Sequence, residues 1–87
     1  MPVEDQEMFL AALEQADPGL VVGEHRRDRG FRQAIRTCRA IDKDPELKGA
    51  ELAIYVSQRF TSLHGEVSVA EARELAPVIA KTICPHL

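Results

Sequence analysis

Two cysteines, separated by 46 positions, constrain the fold of this 87-residue chain more than any other feature of its sequence. Cys38 lies in the segment AIRTCRAID, and Cys84 lies in TICPHL, at the very end of the chain. A chain of this length buries only roughly 60–65% of its unfolded surface, so its noncovalent stability is marginal. A covalent link between two such distant positions would therefore decide whether the chain folds.

The two cysteines have three interpretations: a disulfide, a pair of buried thiols that act as small hydrophobic groups, and metal ligation together with His86. Metal ligation is disfavoured because the sequence contains no C-x-x-C or H-x-x-x-H pair. A disulfide would lower the entropy of the unfolded chain by an amount worth about 4 kcal/mol, against a total stability of about 5–9 kcal/mol for a domain of this size. The energetic argument favours the disulfide, and buried thiols remain the alternative.

Turn residues divide the chain into four helical segments, and no stretch alternates apolar and polar residues for long enough to predict a strand. The first predicted helix runs from about Asp5 to Ala16, and the second runs from about Arg29 to Ile41 with Asp28 as its cap. The third begins either at Asp44-Pro45 or only after Gly49, and it ends at Gly65. The fourth runs from Ser68 to Cys84. We expect one all-α domain over residues 1–87. The architecture is a compact four-helix orthogonal bundle, or three long helices and one short helix, with one intrachain disulfide.

Apolar residues at helical spacing predict which face of each segment is buried. The expected core positions are Phe9, Leu10, Leu13 and Ala16 in the first segment, Phe31, Ala34, Ile35, Cys38 and Ile41 in the second, Leu52, Ala53, Val56, Phe60 and Leu63 in the third, and Ala72, Leu75, Ala76, Ile79 and Ile83 in the fourth. The short segment LVVG is expected to be extended, with Leu20 and Val22 over the core. In the fourth helix, Ser68 and Glu71 form a capping box, and Pro77 predicts a kink.

Arginines are concentrated in the second segment, where six of the eleven basic residues lie between Arg26 and Arg39. A helical wheel places Arg29, Arg32, Arg36 and Arg39 within about 80° of one another and roughly 140° from the apolar stripe. They form either a solvated face whose arginines pair with neighbouring acids, or a contact surface for an anionic partner. An acidic protein is the favoured partner. Nucleic acid is disfavoured by the net charge of −3, by the lack of a helix-turn-helix and by the absence of aromatic residues among the arginines.

No residue set predicts catalysis, a cofactor or a metal site. His25, His64, His86, Ser57 and Ser62 could supply chemistry, but the sequence contains no G-x-S-x-G, H-E-x-x-H or phosphate-binding glycine loop. We therefore expect no enzymatic activity.

Two features bear on where the chain works. The sequence has no apolar run near the ~20 residues that span a membrane, and its start, MPVEDQEMFL, is acidic where a secretory leader is basic. The chain is therefore expected to be either cytoplasmic or the mature part of an exported protein.

The order of EDQEMFLAAL, QAIRTCRAID and YVSQRFTSLHGEVSVAEARELAPVIAKTICPHL resembles the actinobacterial family called domain of unknown function 732, whose members are small helical proteins, mostly secreted or lipid-anchored. The resemblance implies that Cys38 and Cys84 are paired, that Phe9 and Leu13 form the core of the first helix, and that the last helix begins at Ser68 and ends at Cys84-Pro85. It also implies an extracytoplasmic location, but because the family has no established activity it does not indicate any reaction.

These observations predict a non-enzymatic helical binding module that acts in the secreted or cell-envelope compartment through a protein partner. The alternative is a cytoplasmic regulator with reduced cysteines, whose arginine face on the second helix binds nucleic acid or an acidic protein.

Overall fold

Four α-helices make up most of the computed structural model, which describes residues 1–87. The helices are α1 (Val3–Ala16), α2 (Glu24–Lys43), α3 (Gly49–Arg59) and α4 (Val69–Thr82). Two short 3₁₀ helices cover Pro18–Val21 and Cys84–His86, and two antiparallel strands, β1 (Thr61–Ser62) and β2 (Gly65–Glu66), form a small hairpin between α3 and α4. The all-α prediction is confirmed. The hairpin was not predicted, because strands of two residues carry no alternating pattern.

The core is formed by side chains from all four helices around Phe9, which is fully buried. The ring of Phe9 lies 5.1 Å from the ring of Phe31 and 6.5 Å from that of Phe60, so α1, α2 and α3 meet in one aromatic cluster. α4 contacts both α1 and α3, and it supplies Leu75 and Ile79 to this core. Most of the predicted core positions of α1 and α4 are therefore confirmed.

The start of α4 is the local feature that the sequence predicts best. The Ser68 hydroxyl accepts a hydrogen bond from the Glu71 backbone N–H at 3.1 Å and donates one to Glu71 Oε1 at 3.0 Å. This satisfies an N–H group that has no partner within the helix. The helix continues through Pro77, which lacks an N–H, so the carbonyl of Arg73 has no helical partner there.

Two predicted helix starts are wrong. α1 begins at Val3 with Pro2 as its cap, and Asp5 lies inside its first turn, where a carboxylate is stabilised by the helix dipole. α2 begins at Glu24, five residues before the predicted start, and Asp28 lies inside it. Gly23 precedes this helix with φ of 83°, a conformation that favours glycine and that turns the chain sharply into α2.

The segment between α1 and α2 is a 3₁₀ helix and not the extended piece that was predicted. Asp17 caps it, because its carboxylate accepts a hydrogen bond from the Gly19 N–H at 2.9 Å. Leu20 is buried as expected, but Val22 is 69% exposed, since the helical turn directs the two side chains apart.

α3 is shorter at both ends than its apolar pattern suggests. It begins at Gly49, as the second alternative proposed, because Asp44 instead ends α2 and accepts a hydrogen bond from the Glu46 N–H at 3.1 Å. It ends at Arg59, so Leu63 lies in the hairpin turn and is 88% exposed. Gly65 belongs to β2 and not to a helix end. Val67 takes the core place predicted for Leu63 and is buried.

The disulfide between Cys38 and Cys84 is present, so this prediction is confirmed. The Cα atoms lie 5.3 Å apart and the sulfur atoms are bonded at 2.11 Å. The bond joins the buried face of α2 to the 3₁₀ turn that follows α4. Because both sulfurs are used, the buried-thiol and metal-ligand interpretations of these cysteines are wrong.

No helix of this structure combines the length and the apolar character that crossing a membrane requires.

Candidate functional site

The exposed side of α2 carries four arginines, and we call this surface the arginine ridge (Arg29, Arg32, Arg36 and Arg39). All four residues are exposed. No Asp or Glu oxygen lies within 4.0 Å of any of their guanidinium groups. The structure therefore does not contain the intramolecular ion pairs that the solvated-face interpretation includes.

The missing carboxylate partners alone do not distinguish the ridge, because no Lys or Arg of the chain has a carboxylate within 4.0 Å. What distinguishes the ridge is its density, since one narrow sector of a single helix holds four of the eleven basic residues. Like charges at this spacing repel one another when they have no counter-charge. The ridge is thus a surface of concentrated positive potential on a protein of net charge −3.

The orientation of the ridge is fixed by the opposite face of α2. Ala34 and Cys38 are buried there, while Phe31, Ile35 and Ile41 are partly buried. Because the disulfide ties Cys38 to the end of the chain, α2 cannot rotate about its axis without straining that bond. The guanidinium groups are therefore presented to solvent by a helix whose rotation is covalently fixed.

A small cleft borders the ridge where α2 meets the end of α3, and we call it the arginine cleft (Arg26, Arg29, Gln33 and Arg59). Its walls also include Leu20, Gly30, Phe60 and Thr61. The Arg59 guanidinium lies 4.6 Å from the centre of the Tyr55 ring, in the geometry of a cation–π contact. Gln33 Oε1 is buried and has no hydrogen-bond partner.

The sequence prediction missed the arginine cleft. Arg26 lay outside the predicted second helix, and with the true start of α2 it falls one turn before Arg29 and two turns before Gln33. That part of the cleft could have been found from an earlier helix start. Arg59 comes from another helix, and no local pattern connects it with Arg26.

A polar cluster around Asp17 gathers two of the residues considered for catalysis. The Asp17 carboxylate accepts hydrogen bonds from the Ser62 hydroxyl, from the Gly19 N–H and from His64 Nδ1 at 3.2 Å. The hydrogen bond from Ser62 makes the largest contribution to lowering the pKa of Asp17 below 3.8, followed by that from the Gly19 N–H. Ser62 donates to Asp17 and not to His64, and the lowered pKa of Asp17 makes this carboxylate a weak base for activating the hydroxyl.

The other candidate residues also have structural contacts or none. Ser57 is buried and donates to the Val67 carbonyl at 2.6 Å, which ties α3 to the start of α4. His86 Nε2 lies 2.6 Å from Asp5 Oδ2, which joins the end of the chain to α1. His25 lies in the first turn of α2 and not in a loop, and it is exposed.

Two open grooves share Ala80, and the first of them borders the disulfide. One, of about 340 Å³, is lined by Ile41, Leu87 and both cysteines. The other, of about 350 Å³, lies between α3 and α4 and includes Leu52 and Pro77. Each contains a single arginine, and no group of three metal-ligating side chains occurs anywhere in the chain. Neither groove offers a set of polar groups that converge on one point.

No protein-family model, curated protein or solved structure matches this chain.

Proposed function

We propose that this protein is a non-enzymatic binding module that docks an acidic protein partner on the arginine ridge. The observation that carries the proposal is the exposure of Arg29, Arg32, Arg36 and Arg39 on one helix with no carboxylate within 4.0 Å. Guanidinium groups bind carboxylates through paired, charge-assisted hydrogen bonds. A row of such groups recognises a partner that presents carboxylates at matching intervals.

The shape of the ridge favours a partner helix or strand. Arg29 and Arg39 are ten residues apart on α2, so the ridge is about 15 Å long at 1.5 Å per residue. That length corresponds to about three turns of an acidic helix or four to five residues of an extended segment. The rest of the protein is acidic, which opposes the long polyanion of a nucleic acid more than a short acidic segment.

An extracytoplasmic site of action is part of the proposal. The Cys38–Cys84 disulfide supports it, because structural disulfides persist mainly in oxidising compartments. The resemblance to domain of unknown function 732 supports the same location, and we propose that the chain belongs to this family. Alkylation of thiols during extraction from the native source tests the location. An oxidised protein agrees with it, and fully alkylated cysteines would instead favour the cytoplasmic alternative.

The absence of enzymatic activity is proposed from the contacts of the candidate residues. Ser57, Ser62 and His86 are held by hydrogen bonds that join separate elements, and His64 is directed to Asp17. The Ser57 hydroxyl donates to a backbone carbonyl, and the Ser62 hydroxyl donates to Asp17, whose lowered pKa makes it a weak base. The arginine cleft contains no group that could serve as a base.

Charge reversal of the ridge tests the binding function. The ridge variant replaces Arg29, Arg32, Arg36 and Arg39 with Glu. The control variant also replaces four basic residues with Glu, at exposed positions outside the ridge: Arg27, Lys48, Arg73 and Lys81. Its net charge therefore changes by the same amount. A labelled glutamate-rich peptide is titrated against both by fluorescence anisotropy. We expect the ridge variant to bind the peptide about tenfold more weakly or worse, since each exposed pair contributes 0.2–1 kcal/mol.

Three results would contradict the proposal. The control could lose as much peptide affinity as the ridge variant, which would indicate a general charge effect. The ridge variant could show a large fall in melting temperature, which would make the arginines structural. A DNA duplex could bind more tightly than the peptide at the same salt concentration, which would favour the nucleic-acid alternative.

A further inference from the structure

We infer that the arginine cleft is a binding site for a tetrahedral oxyanion, a phosphate or sulfate group. The cleft shares Arg29 with the arginine ridge but uses Arg26, Gln33 and Arg59 in addition. It is therefore a distinct site that overlaps the ridge only at Arg29.

Two elements bring the cationic groups of the cleft together. Arg26, Arg29 and Gln33 lie on successive turns of α2 and on one flank of the helix. Arg59 is the last residue of α3, and its guanidinium lies 4.6 Å from the centre of the Tyr55 ring. Because the arginine cleft is formed by side chains from both elements, it exists only in the folded protein.

The charge of the arginine cleft is uncompensated. Three arginines line it, and no carboxylate oxygen lies within 4.0 Å of their guanidinium groups. The 3₁₀ helix that supplies Leu20 to the wall also begins next to Asp17, but that carboxylate accepts from Ser62, Gly19 and His64. The end of α3 contributes roughly half a negative charge, which is much less than the three positive charges present.

One atom of the Gln33 side chain, Oε1, is buried and lacks a hydrogen-bond partner. Buried polar groups of this kind usually have a partner. Turning the amide about its last side-chain bond exchanges this oxygen for an NH₂ donor. An anion oxygen in the cleft would then accept a hydrogen bond from Gln33, and the unsatisfied position would be removed.

Size and charge together select the class of anion. The space in the cleft that a water-sized group can occupy is about 10 Å³, enough for one oxygen atom. The cleft is open to solvent, so the remaining oxygens of the ligand would stay at its mouth. A tetrahedral anion can direct one oxygen inward and the others toward separate guanidinium groups. Its double negative charge also offsets the three arginines better than a single carboxylate does.

The direct test is a titration with inorganic phosphate at pH 8 and constant ionic strength, followed by NMR of the arginine Nε–H groups and the glutamine side-chain amides. We expect saturable shifts of Arg26, Arg29, Arg59 and Gln33, and we expect none with acetate. The variant Arg26→Gln/Arg59→Gln should weaken phosphate binding at least tenfold. Gln33→Glu should do the same, because it places a carboxylate in the cleft at unchanged size.

The matched control is Arg32→Gln/Arg36→Gln/Arg39→Gln, which removes ridge cations and leaves the arginine cleft intact. This ridge variant should retain phosphate binding. The cleft variant Arg26→Gln/Arg59→Gln should retain binding of the glutamate-rich peptide. Failure of the cleft inference is therefore distinguishable from failure of the proposed function. Shifts that do not saturate, or phosphate binding that survives both cleft variants, would overturn the inference. A parallel titration with phosphoserine distinguishes the two sources of the phosphate group. Binding of phosphoserine would indicate a phosphorylated partner, and binding of inorganic phosphate alone would indicate a free anion.

Discussion

Asp17 joins the connection between α1 and α2 to the hairpin, although the two segments are far apart in the sequence. Its carboxylate accepts from the Gly19 N–H within its own turn and from Ser62 and His64 across the fold. Its side chain is only 14% exposed, so water competes weakly for these hydrogen bonds. The hydrogen bonds from Ser62 and Gly19, in that order, lower the pKa of Asp17. One side chain therefore stabilises both the 3₁₀ helix and the hairpin.

The sign of this pKa shift predicts how stability depends on pH. Because the pKa of Asp17 is lower in the folded protein than its ordinary value of 3.8, its contribution is present above pH 3.8 and is lost as the pH falls through the lower folded-state value. We expect Asp17→Asn to lower the free energy of unfolding by about 1 kcal/mol at pH 7. The difference from the wild type should shrink progressively below pH 3.8. Urea unfolding across this pH range measures it.

Asp44→Asn is the control for this prediction. Asp44 also accepts a hydrogen bond from a backbone N–H two residues on, but it is exposed and joins no second element. Its replacement should change stability by no more than a few tenths of a kcal/mol. If the difference in the free energy of unfolding between Asp17→Asn and the wild type stayed constant below pH 3.8, it would contradict the proposed role of the Asp17 charge.

At the scale of elements, the packing of α1 against α2 depends on a residue without a side chain. Gly30 is buried within α2, and a Cβ added there would lie 2.8 Å from Leu13 Cδ1 and 3.9 Å from the Phe9 ring. Leu13 is fully buried and cannot move aside without disturbing the core. Gly30 therefore permits an approach of the two helices that a residue with a Cβ would allow only if Leu13 shifted.

Replacing Gly30 with Ala sets two effects against each other. Ala favours the helix by about 1 kcal/mol, and the added methyl group overpacks the core at a cost of about 1–3 kcal/mol. We expect a net loss of about 1 kcal/mol in the free energy of unfolding. In Gly30→Ala/Leu13→Val the clashing Cδ1 is absent, so the double variant should lose less than the two single variants combined. Strict additivity in a denaturation cycle would show that the two residues do not interact.

The elements that sequence reasoning placed correctly are those whose ends carry a capping side chain and whose apolar stripe spans the helix. α4 has both, through Ser68 and the row ending at Ile79 and Ile83. The first two turns of α2 bury only Gly30, so the apolar pattern begins at Phe31 and predicts a later start than the helix has. The spacing of Phe60 and Leu63 suits a helix, but α3 ends at Arg59. Leu63 is therefore exposed and Val67 is buried, an outcome that depends on tertiary packing.

The candidate site was predictable to the extent that it lies on one helix. The wheel placed the arginine ridge opposite the apolar stripe, and the four residues are exposed in the structure. The arginine cleft was not predictable, because Arg59 and Arg26 meet only after α2 and α3 pack around Leu20 and Phe60. That Gln33 Oε1 has no hydrogen-bond partner can be established only from the positions of all the atoms around it.

At the scale of the whole molecule, the disulfide contributes a large share of the stability. In the chain-entropy account, closing a loop of 46 residues contributes about 4 kcal/mol. The variant Cys38→Ala/Cys84→Ala should lose about 2–5 kcal/mol in the free energy of unfolding. Alanine is used in place of serine because it introduces no hydroxyl group into the core. Urea unfolding under non-reducing conditions measures the loss.

Reduction provides the control for the disulfide prediction. A phosphine reductant should destabilise the wild-type protein by a similar amount and leave the double-alanine variant unchanged. Intact mass measured without reductant should show the wild type lighter than its reduced form by a pair of hydrogen atoms. Equal masses, or a wild type whose unfolding midpoint does not respond to reduction, would contradict the contribution assigned to this bond.

The position of the disulfide also determines how the protein would respond to mechanical tension. The bond encloses α3, the hairpin and α4 in a ring, while α1 and most of α2 lie outside it. A force applied at the two ends could pull α1 away from the core, yet the 46-residue ring could not extend. About 160 Å of contour length would thus stay hidden from the force until the sulfur–sulfur bond was broken. The protein combines an extensible N-terminal part, made of α1 and most of α2, with an inextensible ring.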